Sequence, residues 1–332
     1  KENLCNIFFN HSLQSKSNGR GTFFSGQSVC DVDFNPDDIT FNGFNTPDSN
    51  SILNTMAGQQ PQACDFLGAL PFNTISYKAL GISDYSNWKK QLHISAELSY
   101  NYWKSINDTA MFNVERQLTE NINSKIVEIE IKHNTTISKA LIAEVKDTAQ
   151  VNEVVKFISD SVSVFQGIKT GGIKNKQLAE VLFGNVFDIK PAYVFVYGNY
   201  FIITENKESN EYYINSLVNN ALVTQNELFM TYARDNLNSN FNYQYYCSPN
   251  KNTANIINTF EFLKKEQLKY FNKLSDYSVT FNNYKNVLQF RANLKYQQAG
   301  QNKDVPGLWT YEADTLIQSK TWPFINHKSN ET

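Results

Sequence analysis

Hydrophobic positions along the chain follow two rhythms, and the switches between them outline the fold. Alternation with a period of two marks strands, and recurrence every three to four residues marks helices. Residues 3–9 read as a strand and residues 18–21 as a polar loop. Residues 28–34 and 38–44 alternate on either side of Asn35-Pro36-Asp37-Asp38, which predicts a hairpin. A short helix is expected over 48–57, capped by Asp48 or Ser49, and a strand over 72–81. Ser83 then caps a long helix to about Trp103, with Trp88, Leu92, Ile94, Leu98 and Tyr102 towards one side.

A helix near 111–123 precedes two alternating runs, Ile126 to Lys132 and Ala140 to Lys146, joined at Asn134-Thr135-Thr136. Residues 149–164 read as a helix with Val151, Val154, Val155, Ile158 and Val162 on one face. The clearest hairpin covers 192–205, turning at Gly198-Asn199, two residue types that tolerate positive φ. Helices near 208–220 and 224–236 lead to a strand at Phe241 to Cys247. A long amphipathic helix over 254–274 and two strands within 277–297, turning at Asn282-Asn283, follow. From Gln297 to Asp304 the chain reads as a polar linker.

One stretch echoes another. Val29-Cys30-Asp31-Val32-Asp33-Phe34-Asn35 with Ile39-Thr40-Phe41 resembles Tyr277-Ser278-Val279-Thr280-Phe281-Asn282 with Val287-Leu288-Gln289-Phe290, and each hairpin follows another strand. The pattern predicts an internally duplicated α+β protein whose antiparallel sheets are covered on one face by helices. In this reading residues 1–105 hold a partial first repeat and the start of a second unit. Residues 106–297 form the second α+β unit, and 298–332 a linker.

Composition narrows the functional classes. The net charge of −2 comes without a basic stripe, so nucleic acid is not an expected partner. The densest basic spots, Lys169 to Lys176 and Lys264 to Lys273, read as solvated helix faces. No apolar run approaches the length of a membrane span. The chain starts at Lys1 without a leader, so membrane association is expected only through a preceding N-terminal segment. The four cysteines form no CxxC pair, which argues against zinc; Cys5 and Cys30, in strands that could lie side by side, are a candidate disulfide.

Several blocks together carry a resemblance. They are Phe41-Asn42-Gly43-Phe44, Gly58-Gln59-Gln60-Pro61-Gln62, Leu70-Pro71-Phe72-Asn73-Thr74, Ser83 to Lys90, the Tyr200 to Thr204 strand and the Phe290 to Tyr296 strand. Over about residues 20–312 the chain resembles Bacteroidota cell-envelope proteins of unknown function with a duplicated α+β domain. In some members a quinoprotein-like β-propeller follows, and Leu308-Trp309-Thr310-Tyr311-Glu312 resembles the entry into one. The resemblance implies a periplasmic or outer-membrane surface location and other envelope proteins as partners, and it carries over no catalytic residue. Bacteroidota O-glycosylation sites resemble Asp, then Ser or Thr, then a small or apolar residue. That pattern makes Thr109, Thr148, Ser161 and Thr315 candidate acceptors.

Catalytic constellations are sparse. The four histidines lack metal-ligand spacing, and Gly19-Arg20-Gly21 is not a dinucleotide fingerprint. Ser86-Asn87-Trp88-Lys89, Ser99-Tyr100-Asn101 and Lys169-Thr170-Gly171 resemble the three motifs of penicillin-binding proteins, in which a serine is activated by a lysine one helical turn away. Here Ser86 and Ser99 are expected on one continuous helix, whereas that family places them on separate elements. Asp31, Asp33, Asn35, Asp37 and Asp38 could form a weak calcium site, although turn chemistry explains Asp37 and Asp38 without one. Of the four tryptophans, Trp88 lies among apolar helix positions and is expected in the core rather than stacked on sugar.

The expected function is therefore a non-enzymatic scaffold or interaction module of the cell envelope, with no cofactor or metal. The alternatives are a serine hydrolase of wall polymer acting through Ser86 and Lys89, and a carrier of an apolar ligand inside a curved sheet.

Overall fold

The computed structural model describes residues 5–10, 26–49, 51–92, 94–107, 113–248, 273–284 and 287–296. The chain divides into Lys1–Tyr296 and Gln297–Thr332. The predicted linker and propeller entry in the second unit lie outside the described residues, as does all but the last residue or two of the amphipathic helix predicted over 254–274.

The strands are β1 (Cys5–Asn10), β2 (Gln27–Phe34), β3 (Asp38–Thr46), β4 (Gln62–Ala63), β5 (Thr74–Gly81), β6 (Ile122–His133), β7 (Thr136–Val145), β8 (Ser159–Phe165), β9 (Ile168–Ile173), β10 (Tyr193–Tyr197), β11 (Tyr200–Thr204), β12 (Asn240–Phe241), β13 (Tyr243–Cys247), β14 (Leu274–Tyr284) and β15 (Val287–Tyr296). The helices are α1 (Tyr85–Gln91), α2 (Ala96–Asn107), α3 (Val114–Asn121), α4 (Thr148–Ile158), α5 (Leu178–Phe183), α6 (Lys207–Val218) and α7 (Glu227–Asn236). Thirteen strands form one antiparallel sheet in the order β1-β2-β3-β15-β14-β13-β5-β6-β7-β11-β10-β9-β8, and β12 pairs with β4. The protein is α+β.

Register makes the sheet a single object. Directly paired residues trace one row across eleven strands: Ile7, Cys30, Gly43, Phe290, Phe281, Tyr243, Leu80, Ile126, Ala143, Phe201 and Val196. Every non-glycine member belongs to, or packs against, one hydrophobic cluster together with Trp88 of α1, Tyr102 of α2, Leu118 of α3, Val151 of α4 and Leu182 of α5. A one-residue slip of any strand would turn its share of the row to the opposite face.

The opposite face carries a second cluster. Tyr77 and Ala79 of β5, Val127 and Ile129 of β6 and Ile142 of β7 pack there with Tyr213 and Ile214 of α6 and Phe229 and Tyr232 of α7. Helices thus cover the central strands on both faces, not on one as the pattern implied. This explains the near-continuous burial of β5 through β7, because strands buried twice lose the alternation that marks a half-exposed sheet.

Four local expectations are corrected. The helix over 83–103 is two helices: Leu92 leaves the helix with extended backbone, and the Ser95 hydroxyl accepts from the Leu98 amide to start α2. The helix over 149–164 stops at Ile158, and Ser159–Phe165 form β8, which turns at Gln166 and Gly167, both at positive φ, into β9. Lys169 to Lys176 is therefore strand and loop, not a helix face. The helix over 48–57 is a 3-10 turn at Ile52–Met56 capped by Ser51, while Asp48 accepts from the Gly26 amide at 3.0 Å.

The duplication has a geometric form. The meanders β1-β2-β3 and β13-β14-β15 meet through β3 and β15. Phe41 faces Ala292 and Gly43 faces Phe290 across a local two-fold at the Asn42–Arg291 pair, large against small on both sides. Carrying that relation outward makes Val32 equivalent to Phe281, because Val32 faces Phe41 and Phe281 faces Phe290. The sequence echo paired Val32 with Val279, two residues away on the same face. The boundary expected at residue 105 does not divide the sheet, since β5 before it pairs with both β6 and β13 after it.

Gly43 is where the row is tightest. A Cβ there would lie 2.1 Å from the Val29 carbonyl oxygen and 2.8 Å from the Cys30 Cα, both backbone atoms. Gly43→Val is expected to cost about 1–3 kcal/mol, the typical range for overpacking. Gly68→Ala, where a Cβ meets nothing within 4 Å, is expected to be neutral or slightly stabilising. Thermal unfolding of the two variants checks the contrast.

Candidate functional site

The three hydrolase-like motifs fall on α1, α2 and β9. Ser86 is exposed in the first turn of α1, which Asp84 caps by accepting from the Asn87 amide at 2.9 Å. Lys89 is paired with Glu115 of α3 at 3.5 Å. Burial lowers its pKa, and Glu115 works against that shift. Among the described residues no hydrogen bond joins Ser86 to Lys89. Ser99 sits on α2, beyond the helix break, so the two motifs do occupy separate elements. In the third motif the Thr170 hydroxyl is buried, 3.1 Å from the Asn210 side-chain amide that donates to it.

The other candidates have the following places in the fold. Asp37 and Asp38 close the β2–β3 turn with Asn35, whose side-chain amide donates to Asp38 at 2.7 Å. Among the described residues no group of three or more His, Cys, Asp or Glu could hold a metal ion. Trp88 is fully buried and donates to the Thr55 hydroxyl at 3.0 Å, and Trp103 is also buried. Cys5 faces Val32 and Cys30 faces Ile7, so the candidate pair is diagonal in the ladder, not directly opposed. Thr148 opens α4 behind the cap Asp147, Ser161 is exposed on β8, and Thr109 and Thr315 lie outside the described residues. A small cleft of about 10 Å³, room for roughly one water, is lined by His133, Thr136, Ser138, Glu208 and Tyr212.

Sequence reasoning missed a polar strip on the sheet. Lys78 of β5 is 3.4 Å from Glu128 of β6 and donates to the Val186 carbonyl at 2.9 Å. Glu128 accepts from the Asp188 amide at 2.7 Å. Lys139 of β7 donates to both the carbonyl and the carboxylate of Asp188 at 2.9 Å, and Glu205 accepts from the Lys190 amide. Four side chains thus tie down the backbone of residues 186–190, the connection from α5 towards β10. Such a set is invisible in sequence, because its members come from β5, β6, β7 and the residue after β11, and their main partners are backbone groups far away in the chain.

A second buried set holds the β10–β11 turn. Glu144 accepts from Lys125, Asn123, Ser124 and Asn199, and Lys125 also reaches Asp65 at 2.8 Å. Both sets are saturated with partners, which suits them to fixing geometry.

What the structure leaves open is surface. Phe8, Val29 and Phe44 stand directly opposite one another on β1, β2 and β3, on the face turned away from Cys30, and are 64%, 48% and 45% exposed. They form the row adjacent to the buried one. Past Phe44 it continues into Gln289 and Asn282, so the apolar part ends at β15. The helices of the second cluster pack over the central strands, and Phe8, Val29 and Phe44 are not part of that cluster. At the far edge of the sheet, residues 160–164 of β8 are all exposed.

The fold and surface together define an α+β protein built on a large antiparallel sheet with buried polar clamps and open margins. No family model matches the chain, and no curated protein matches it. Among solved structures the chain is similar to crystal forms I, IV and III of TP0453. They are 10%, 9% and 10% identical, with TM-scores of 0.37, 0.36 and 0.34. The matches cover 72%, 71% and 72% of this chain and 82%, 80% and 94% of those chains. No described helix is long and apolar enough to cross a membrane.

Two predictions follow from the buried groups. Glu128→Ala takes the ion-pair partner from Lys78, leaves it the Val186 carbonyl, and is expected to cost up to about 3–5 kcal/mol. Lys78→Met with Glu128→Leu should return to within about 1–3 kcal/mol of the parent, the remaining loss coming from the unmatched Asp188 amide and Val186 carbonyl. Denaturant titration of the three chains distinguishes this from independent, additive losses. Burial pushes the Cys64 and Cys247 thiols from 9.0 up to about 12. Their contribution to stability is therefore present below pH 9 and lost as pH rises through about 12. Native protein at pH 8 should resist alkylation at both, and urea-unfolded protein should not; mass spectrometry of the labelled peptides reads the difference.

Proposed function

We propose that this chain is a non-enzymatic interaction module of the bacterial cell envelope, presenting the outer face of β1–β3 to a partner protein. The observation that carries the reading is the exposed Phe8–Val29–Phe44 row. Phenylalanines held on a register-locked sheet lose little entropy on binding, and contiguous exposed apolar side chains rimmed by polar ones suit a protein partner. Asn42, Asp31 and Gln27 supply that rim. The envelope compartment rests on the resemblance of the Phe41-Asn42-Gly43-Phe44, Leu70 to Thr74 and Phe290 to Tyr296 blocks to Bacteroidota envelope proteins. Among those blocks, Phe44 belongs to the row itself. The pairing of Lys89 with Glu115 supports a structural role for α1 rather than a catalytic one.

The test is a Phe8→Ser, Val29→Ser, Phe44→Ser chain expressed in its native cells beside the parent, with crosslinking and cell fractionation. The parent is expected in the envelope fraction with one stoichiometric partner. The variant should keep its unfolding temperature and bind that partner at least about tenfold more weakly, since truncated aromatic anchors carry most of an interface's energy. Equal capture by both chains, or a cytoplasmic parent, would sink the reading.

A further inference from the structure

We propose that two copies of this chain join edge to edge through β8, as an antiparallel pair with its two-fold axis at Ser163. The inference concerns the margin of the sheet opposite to Phe8, Val29 and Phe44 and does not rest on that surface. β8 is the last strand in the sheet order, and among the described residues only β9 pairs with it. Its outward backbone groups are therefore a template for another strand.

Several features select a second copy of β8 as the occupant. Protein edges are ordinarily guarded by lysine, proline, an inward charge or a bulge. The register irregularity of β8 lies at its start, between Ser159 and Ser161, and residues 161–165, Ser-Val-Ser-Val-Phe, contain none of these guards. Val162 and Val164 are 52% and 65% exposed, on one face of the strand, and Ser161 and Ser163 occupy the other. The run Val162-Ser163-Val164 reads the same in both directions. In antiparallel pairing about a two-fold, a residue must face one of the same parity, so the axis passes through a residue. An axis at Ser163 sets Val162 against Val164 of the second copy twice over, Ser163 against itself and Ser161 against Phe165. Asp160, the only charge in β8, then falls opposite Gln166 at the turn, outside the five-residue ladder. An axis at Val162 instead sets Asp160 against Val164, and one at Asp160 sets two carboxylates together, which is unfavourable. Of these three registers, the one centred on Ser163 sets like against like.

The rest of β8 permits the approach. The Ser159 hydroxyl is turned inward, donating to the Val155 carbonyl at 2.6 Å, so the strand is fixed to α4 at its start and open beyond it. Gly171 on β9 lies beneath Ser159 and Val155, and it keeps β8 close to the sheet.

Engineered cysteines in the full chain test the register. Ser163→Cys is expected to give a disulfide-linked dimer under mild oxidation, because position 163 faces itself across the axis. Ser161→Cys, facing Phe165, should give little, and the parent chain supplies the background from its own cysteines. Sedimentation velocity across a micromolar concentration series should show the parent dimerising. Val164→Lys should raise the dissociation constant at least about tenfold by placing a charge against Val162. A parent that stays monomeric while Ser163→Cys remains unlinked overturns the proposal, as does equal crosslinking at positions 161 and 163. Partner capture by Phe8, Val29 and Phe44 is read from a different surface, so either idea can fail alone.

Discussion

The register of one buried row governs the rest of this molecule. From Ile7 on β1 to Val196 on β10, residues that face one another across eleven strands turn towards the same five helices. Burying each large apolar side chain contributes about 1.5–3 kcal/mol, so a strand that slipped would forfeit its share of the row. The joint between β3 and β15 is the narrow point. There Phe41 lies against Ala292 and Phe290 against Gly43, and the two meanders become one sheet only if large side chains meet small ones. The local two-fold follows from that complementarity.

Polar residues complete what the row begins. The strip of Lys78, Glu128, Lys139 and Glu205 binds main chain and holds the connection from α5 down on the sheet. Glu144 does the same for the β10–β11 turn. Strong interactions are thus spent on shape at the centre, while Phe8, Val29 and Phe44 at one margin of the sheet and Val162 and Val164 at the other are among the apolar positions left to solvent.

Much of the fold was legible in sequence. Asn35-Pro36-Asp37 and Gly198-Asn199 marked their hairpins because turn chemistry is local. The strands of the two meanders showed because their alternation survives. What failed did so for physical reasons. Val162 extends the Val151–Ile158 helical stripe by one more turn, and this masked the strict alternation of Ser161-Val162-Ser163-Val164 and the glycine at 167, which together spell a strand and a turn. Leu98 and Tyr102 keep helical spacing with Trp88 across the break at Leu92–Ser95, so periodicity alone could not see two helices. The surface row of Phe8, Val29 and Phe44 was hidden altogether, since each residue lies on a different strand and only register brings them together. The candidate serine and lysine were visible, but the glutamate that occupies the lysine comes from another helix.

Amide hydrogen exchange on the full chain, read by mass spectrometry, tests the central claim that one register-locked sheet spans the described chain. Peptides from β3 and β15 are expected to exchange in the same slow class as those from β5 and β6, because a single buried row protects them all. If β3 and β15 exchanged fast while β5 and β6 stayed protected, the sheet would be two independent units and the account would be contradicted.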